Sequence, residues 1–144
     1  PGFNLLVGDD ERLWHLHRGL DGLRLRRVPP GLHGLSNASL DTPWPKLIAA
    51  RQGLANSLRH GRWPEDALAV MHDSRPADDD RLPDTGVGLE TERRLSPPFI
   101  VGREYGTRAT TWVTWFEDGH IDMGEQRFGP EGVGLGETQL RLAP

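Results

Sequence analysis

The stretch "FNLLVGDDERLWHLH", Phe3 to His17, decides the fold class. Phe3–Val7 is an apolar run and Gly8-Asp9-Asp10 a turn. Arg12–His17 then alternates, with Leu13, His15 and His17 on one face and Trp14 and Leu16 on the other. A period of two on either side of a glycine-acid turn predicts a β-hairpin. Reading outward, "RGLDGLRLRRVPPG" adds a Gly-Asp-Gly turn and a third alternating strand, Leu23 and Leu25 against Arg24 and Arg26. A Pro-Pro-Gly stop ends it. Three short strands in succession predict an antiparallel meander.

Beyond Asn37 the period changes. In "WPKLIAARQGLANSLRHG" Leu47, Ala50, Leu54 and Leu58 recur at helical spacing, and Gly61 stands where a C-terminal cap belongs. Asp41 or Thr42 is the expected N-cap, with Pro43 and Pro45 in or before the first turn. "PEDALAVMHD" predicts a second, shorter helix whose first turn carries two acids. "SRPADDDRLPDTGVGLETERR" is polar and rich in turn residues, and is expected to be a long loop. Strand character returns at Thr107–Phe116 and His120–Phe128 around the turn Glu117-Asp118-Gly119. A last strand is expected at Thr138–Leu142. Strands, then helices, then strands give the expected class: α+β, antiparallel sheets with helices packed on them, over residues 1–144 as a single domain.

Composition excludes several functions. The 17 Lys+Arg against 21 Asp+Glu leave a net charge of −4, which provides no overall field for nucleic acid. There is no cysteine among the 144 residues, so disulfides, thiolate metal sites and a cysteine nucleophile are absent from them. No run approaches the ~20 apolar residues of a membrane helix. A cytoplasmic, bacterial setting is the expectation. "GVGLG" lacks the spacing and the following helix of a nucleotide loop. His15 and His17 share a strand face, where a two-histidine metal site competes with a plain, partly exposed strand face.

The densest chemistry lies in "GLHGLSNASLDTPWPK", Gly31–Lys46. Together with "GFNLLVGD", "LPDTGV", "ERRLSPPFI" and "YGTRATT", it resembles the NRDE family, also called the transport and Golgi organization protein 2 family. The blocks stand in that family's order from Gly2 to about Phe128. The Met-Cys start and the Asn-Arg-Asp-Glu motif that open the family's domain are not in this sequence. The chain, which begins at Pro1, is therefore expected to be the rear part of such a domain and to need the missing N-terminal part as its partner.

The resemblance implies an αββα sandwich similar to the N-terminal nucleophile hydrolases, and it implies roles for particular residues. Asn37, in "GLSNASL", resembles an asparagine that donates to a developing oxyanion in choloylglycine-hydrolase-like relatives. Read from the residues alone, Asn37 is a turn residue, and only the resemblance puts the oxyanion role beside that reading. Arg108, set among small and β-branched residues, must reach solvent, a carboxylate such as Asp41 or Glu104, or an anionic ligand. Tyr105 and Thr107 flank it as ligand contacts or packing residues. His33 and Ser36 belong to the same Gly-rich loop as Asn37, and His33 either ligates an iron, donates to a carboxylate or is solvated. Trp44 is an anchor between two prolines. Lys46 opposes the helix dipole and hints at an anionic partner.

The implied function is handling or trafficking of a hydrophobic anionic small molecule, haem or acyl-CoA. The first alternative is amide or thioester hydrolysis by an N-terminal cysteine upstream of Pro1, with Asn37 and Arg108 in supporting roles. The second is a non-catalytic interaction scaffold.

Overall fold

The computed structural model describes residues 2–144. It contains two three-stranded antiparallel sheets and three α-helices, which is the α+β class. The chain divides into two compact units, Pro1–Pro43 and Trp44–Pro144.

The first unit is the meander β1 (Phe3–Gly8), β2 (Leu13–Gly19) and β3 (Gly22–Val28), followed by the loop 29–43. Its register pairs Asn4 with His17 and Leu6 with His15, and then His15 with Arg26 and His17 with Arg24. Alternation therefore collects Asn4, His15, His17, Arg24 and Arg26 on one face. Phe3, Leu5, Val7, Trp14, Leu16, Leu23 and Leu25 share the other. The loop lies across the polar face, where Val28 of β3 and the loop's own Leu40 are buried. The apolar face stays open to solvent, Leu23 and Leu25 being 63% and 64% exposed.

The second unit begins with α1 (Pro45–Arg59) and α2 (Glu65–Met71). Gly53 of α1 meets Val70 of α2 so closely that a Cβ would lie 2.6 Å from Val70 Cγ2. As expected, Gly61 follows the helix end in the left-handed region, at φ 63°. The start differs from expectation. Trp44 is the N-cap and no side chain caps the helix, because Thr42 Oγ1 donates to the carbonyl of Ser39 and the Asp41 carboxylate is turned to Gly34.

The long loop expected between the helices and the second sheet contains a helix, α3 (Leu89–Leu95), and a single 3-10 turn at Asp79–Arg81. α3 carries no apolar stripe to announce it. Its Glu92 is buried and accepts from both the amide and the hydroxyl of Thr85, at 2.7 and 2.5 Å, while Arg93 pairs with Asp79 and Glu90. Polar closure replaces hydrophobic periodicity here.

The second sheet has the order β4 (Ala109–Trp115), β5 (Ile121–Phe128) and β6 (Gly134–Leu142). β6 starts four residues before the expected Thr138, so "GVGLG" runs into strand. Gly136 at φ 111° and an irregular register at Arg127/Phe128 let that glycine-rich segment pair. Trp112 lies across Gly124 of β5, and Trp63 ties α2 to this sheet by donating Nε1–H to Thr114 Oγ1 at 2.7 Å. His72, Phe99 and Phe128 pack edge to face, with Phe99 fully in the core. Among the described residues no helix is long and apolar enough to cross a membrane.

Candidate functional site

In the first unit the polar sheet face meets the Gly-rich loop, and one side chain joins them. Asn4 Nδ2 donates to the carbonyls of Ser36 and Ala38, at 3.2 and 3.0 Å. Two carbonyls at the nitrogen fix the orientation of the amide, so Asn4 Oδ1 is left as an acceptor. It receives hydrogen bonds from His15 Nε2 at 2.9 Å and His17 Nδ1 at 2.7 Å. His15 is 1% exposed, so the expectation of a partly exposed strand face fails at this residue. The amide satisfies a ring that burial would otherwise penalise. Burial, the Arg26 guanidinium and His17 together hold the His15 pKa below the usual histidine range.

Arg26 Nη2 donates to the Leu40 carbonyl at 2.9 Å, a second tie between sheet and loop. Arg24 is more exposed and, among the described residues, pairs with Asp21 at 3.2 Å. A cavity of about 500 Å³ is lined by His15, His17, Arg24, Arg26, Leu20 and Ser39, among others. A second, of about 770 Å³, shares His17, Gly19 and Leu20 with it and adds Phe3, Leu35, Ser36 and Asn37. The first recess also holds the Asp21 carboxylate that pairs with Arg24, and the second is mixed, with Asn4 and Arg18 beside Phe3, Leu20 and Leu35.

Of the residues singled out in the sequence, Ser36 and Asn37 border this site. Asn37 is exposed and its side chain makes no hydrogen bond among the described residues. His33 is committed elsewhere. Its Nδ1 bonds Asp41 Oδ2 at 2.8 Å and its Nε2 bonds the Pro29 carbonyl at 2.9 Å, so neither nitrogen offers a lone pair to a metal. Asp41, at φ 65°, also accepts from the Gly34 amide and donates its own N–H to the Gly34 carbonyl at 2.7 Å. The loop is closed by these bonds, and Gly31 at φ 149° provides a backbone turn that other residues resist.

The remaining candidates lie in the second unit. Lys46 Nζ donates to the Leu95 carbonyl at 2.9 Å and sits 5.8 Å from the Trp44 ring centroid. Burial lowers its pKa, and Glu92 partly opposes that. Thr107 is a clip: its Oγ1 accepts from the Ile100 amide at 2.9 Å and its own amide donates to the Ile100 carbonyl. Tyr105 is 60% exposed. Arg108 is exposed, and among the described residues its guanidinium forms no ion pair, with Glu104 or otherwise.

Asn4, Arg24 and Arg26 were not among the residues the sequence singled out, and His15 and His17 were read as a bare strand face. The available signal was the double alternation of His15/His17 and Arg24/Arg26 on successive strands, which a two-residue hairpin places side by side.

A family model described as Transport and Golgi organisation 2 matches residues 1–130. The chain is 31% identical to the Transport and Golgi organization protein 2 homolog of Bos taurus over 146 aligned positions, 87% of this chain and 50% of that protein. It is 29% identical to the Homo sapiens homolog over 153 positions, 96% of this chain and 55% of that one. The chain spans about half the length of these curated relatives.

Proposed function

The chain belongs to the transport and Golgi organisation 2 family, and on that premise we propose that it handles a small molecule joining an anionic group to apolar bulk. The observation that supports the reading is the pairing of recesses in the first unit. Arg24, Arg26 and His17 border one, while Phe3, Leu20 and Leu35 border the other. Guanidinium groups suit carboxylates and phosphates, and the apolar side chains of Phe3, Leu20 and Leu35 beside them suit a ring system or an acyl chain. Haem and long-chain acyl-CoA, the ligands implied by the family resemblance, both have that build.

Titration of the protein with each ligand, followed by calorimetry and by the haem absorption band, tests the reading. Binding weakened at least tenfold, about 1.4 kcal/mol, by the double change Arg24→Ala and Arg26→Lys is the expected result. Lysine at position 26 keeps a donor for the Leu40 carbonyl while removing the planar fork. Unchanged affinity in that variant rejects the site. Replacing His33 is expected to leave the haem spectrum unaltered, because its two nitrogens are already engaged.

A further inference from the structure

We propose that Lys46 is a nucleophilic amine and that the electrophile it meets is a thioester carbonyl, so that its side chain becomes acylated. Lys46 is the only lysine in a chain whose lysines and arginines together number 17. It is not there for want of a donor. Arg26 makes the same kind of contact, a hydrogen bond donated to a main-chain carbonyl at 2.9 Å, with a guanidinium. What lysine has and arginine lacks is the ability to lose its proton inside a protein.

The surroundings of Lys46, all within the second unit, press towards that loss. It stands in the first turn of α1, at the positive end of the helix dipole, which disfavours a cation. The side chain is half-buried, and among the described residues no carboxylate forms an ion pair with it. Nζ donates instead to the Leu95 carbonyl at the end of α3. An ammonium drawn out of water towards a neutral partner is poorly compensated. Burial accordingly pulls its pKa below the usual lysine range, while Glu92 of α3, the charged side chain that acts on it, pulls the other way. The bond to Leu95 uses an N–H, so it orients the nitrogen and leaves the lone pair of the neutral amine free.

The same groups select the electrophile. The Leu95 carbonyl only accepts, and the Glu92 carboxylate is itself an acceptor from Thr85, so neither is an acid for a leaving group. Imine formation from an aldehyde expels water, and ester aminolysis expels an alkoxide; both steps call for such an acid. A thiolate leaves without one, because a thiol has a pKa of only about 8.5. In the proposed step the Nζ lone pair attacks the thioester carbon, the C–N bond forms and the C–S bond breaks. Nitrogen sheds one proton to solvent, and the products are an acylated lysine and a free thiol, with nothing oxidised or reduced. This step lies beyond the anion-handling reading and uses neither recess of the first unit.

The test incubates the full chain with S-acetyl-N-acetylcysteamine at about pH 7.5, with Nα-acetyl-lysine amide as the reference amine. Peptide mapping by mass spectrometry gives the rate at Lys46 and separates it from the terminal amine. Expected is acetylation of Lys46 roughly fivefold or more faster than the reference, as for a lysine activated by desolvation, with a pH–rate midpoint below that of the reference. Lys46→Arg keeps a donor for the Leu95 carbonyl and should abolish labelling at that position with thermal unfolding unchanged. Glu92→Gln keeps an acceptor for Thr85 and removes the charge that favours the ammonium, so acetylation of the folded variant should be faster still. A lysine with a merely structural role would show no such gain. Lys46 reacting no faster than the reference, a midpoint equal to the reference's, or labelling confined to the terminal amine overturns the proposal and leaves the anion-handling reading intact. Absence of haem and acyl-CoA binding with Lys46 still fast overturns that reading and leaves this one.

Discussion

Asn4 is the residue on which the first unit turns. Replacing it by Ala strips two N–H donors and two carbonyls of their partners at once. An unpaired buried polar group costs about 1–3 kcal/mol, and loop relaxation will recover part of that, so a loss of about 2–4 kcal/mol is expected in chemical denaturation. The same network sets a pH dependence. His15 has a folded pKa below its unfolded value, so the unfolded chain binds more protons as pH drops through the ordinary histidine range. Stability of the first unit should therefore be full above about pH 6.5, the unfolded histidine value, and decline as pH falls below it. A melting temperature that rises on acidification from pH 7 to 5 contradicts this. The type of each residue was legible from the sequence, but its role was not. Asn4 and His15 are eleven positions apart, and only strand register brings their atoms together.

At the scale of elements, close approach outweighs propensity. Ala is the better helix former by about 1 kcal/mol, so Gly53→Ala in α1 would stabilise an isolated helix. Here the new methyl meets Val70 at 2.6 and 3.0 Å, and overpacking of that kind costs about 1–3 kcal/mol. A net loss of stability is expected, recovered in the double variant Gly53→Ala/Val70→Ala; thermal unfolding of the three proteins decides. The meander, α1, α2 and the β4–β5 hairpin were legible because their apolar residues repeat with the period of the element. α3 and the first part of β6 were not. α3 is held by Glu92–Thr85 and Arg93 pairs between polar side chains, and β6 begins in glycines whose pairing depends on β5.

For the molecule as a whole, exposure of apolar sheet surface is the dominant physical fact. Leu5, Val7, Leu23 and Leu25 on the first sheet, and Val113, Trp115, Leu140 and Leu142 on the second, are each 47–64% exposed. Contiguous apolar surface of this kind drives association in water. The chain is expected to self-associate with rising concentration, and Leu25→Glu should reduce the light-scattering mass with unfolding unchanged, since position 25 buries little. An unchanged mass, or a drop in stability beyond about 0.5 kcal/mol, contradicts the expectation. What the amino-acid sequence determined unaided is the α+β class, the meander and the family, because periodicity and local blocks are properties of neighbours along the chain. What only the tertiary structure decided is which polar groups face one another. It committed His33 to Pro29 and Asp41, and it brought His17, Arg24 and Arg26 to one recess with Asn4 bonded to His17 beside it. Hydrogen bonds and charges act through space over a few ångströms, and the partners of these residues lie up to 34 positions away along the chain.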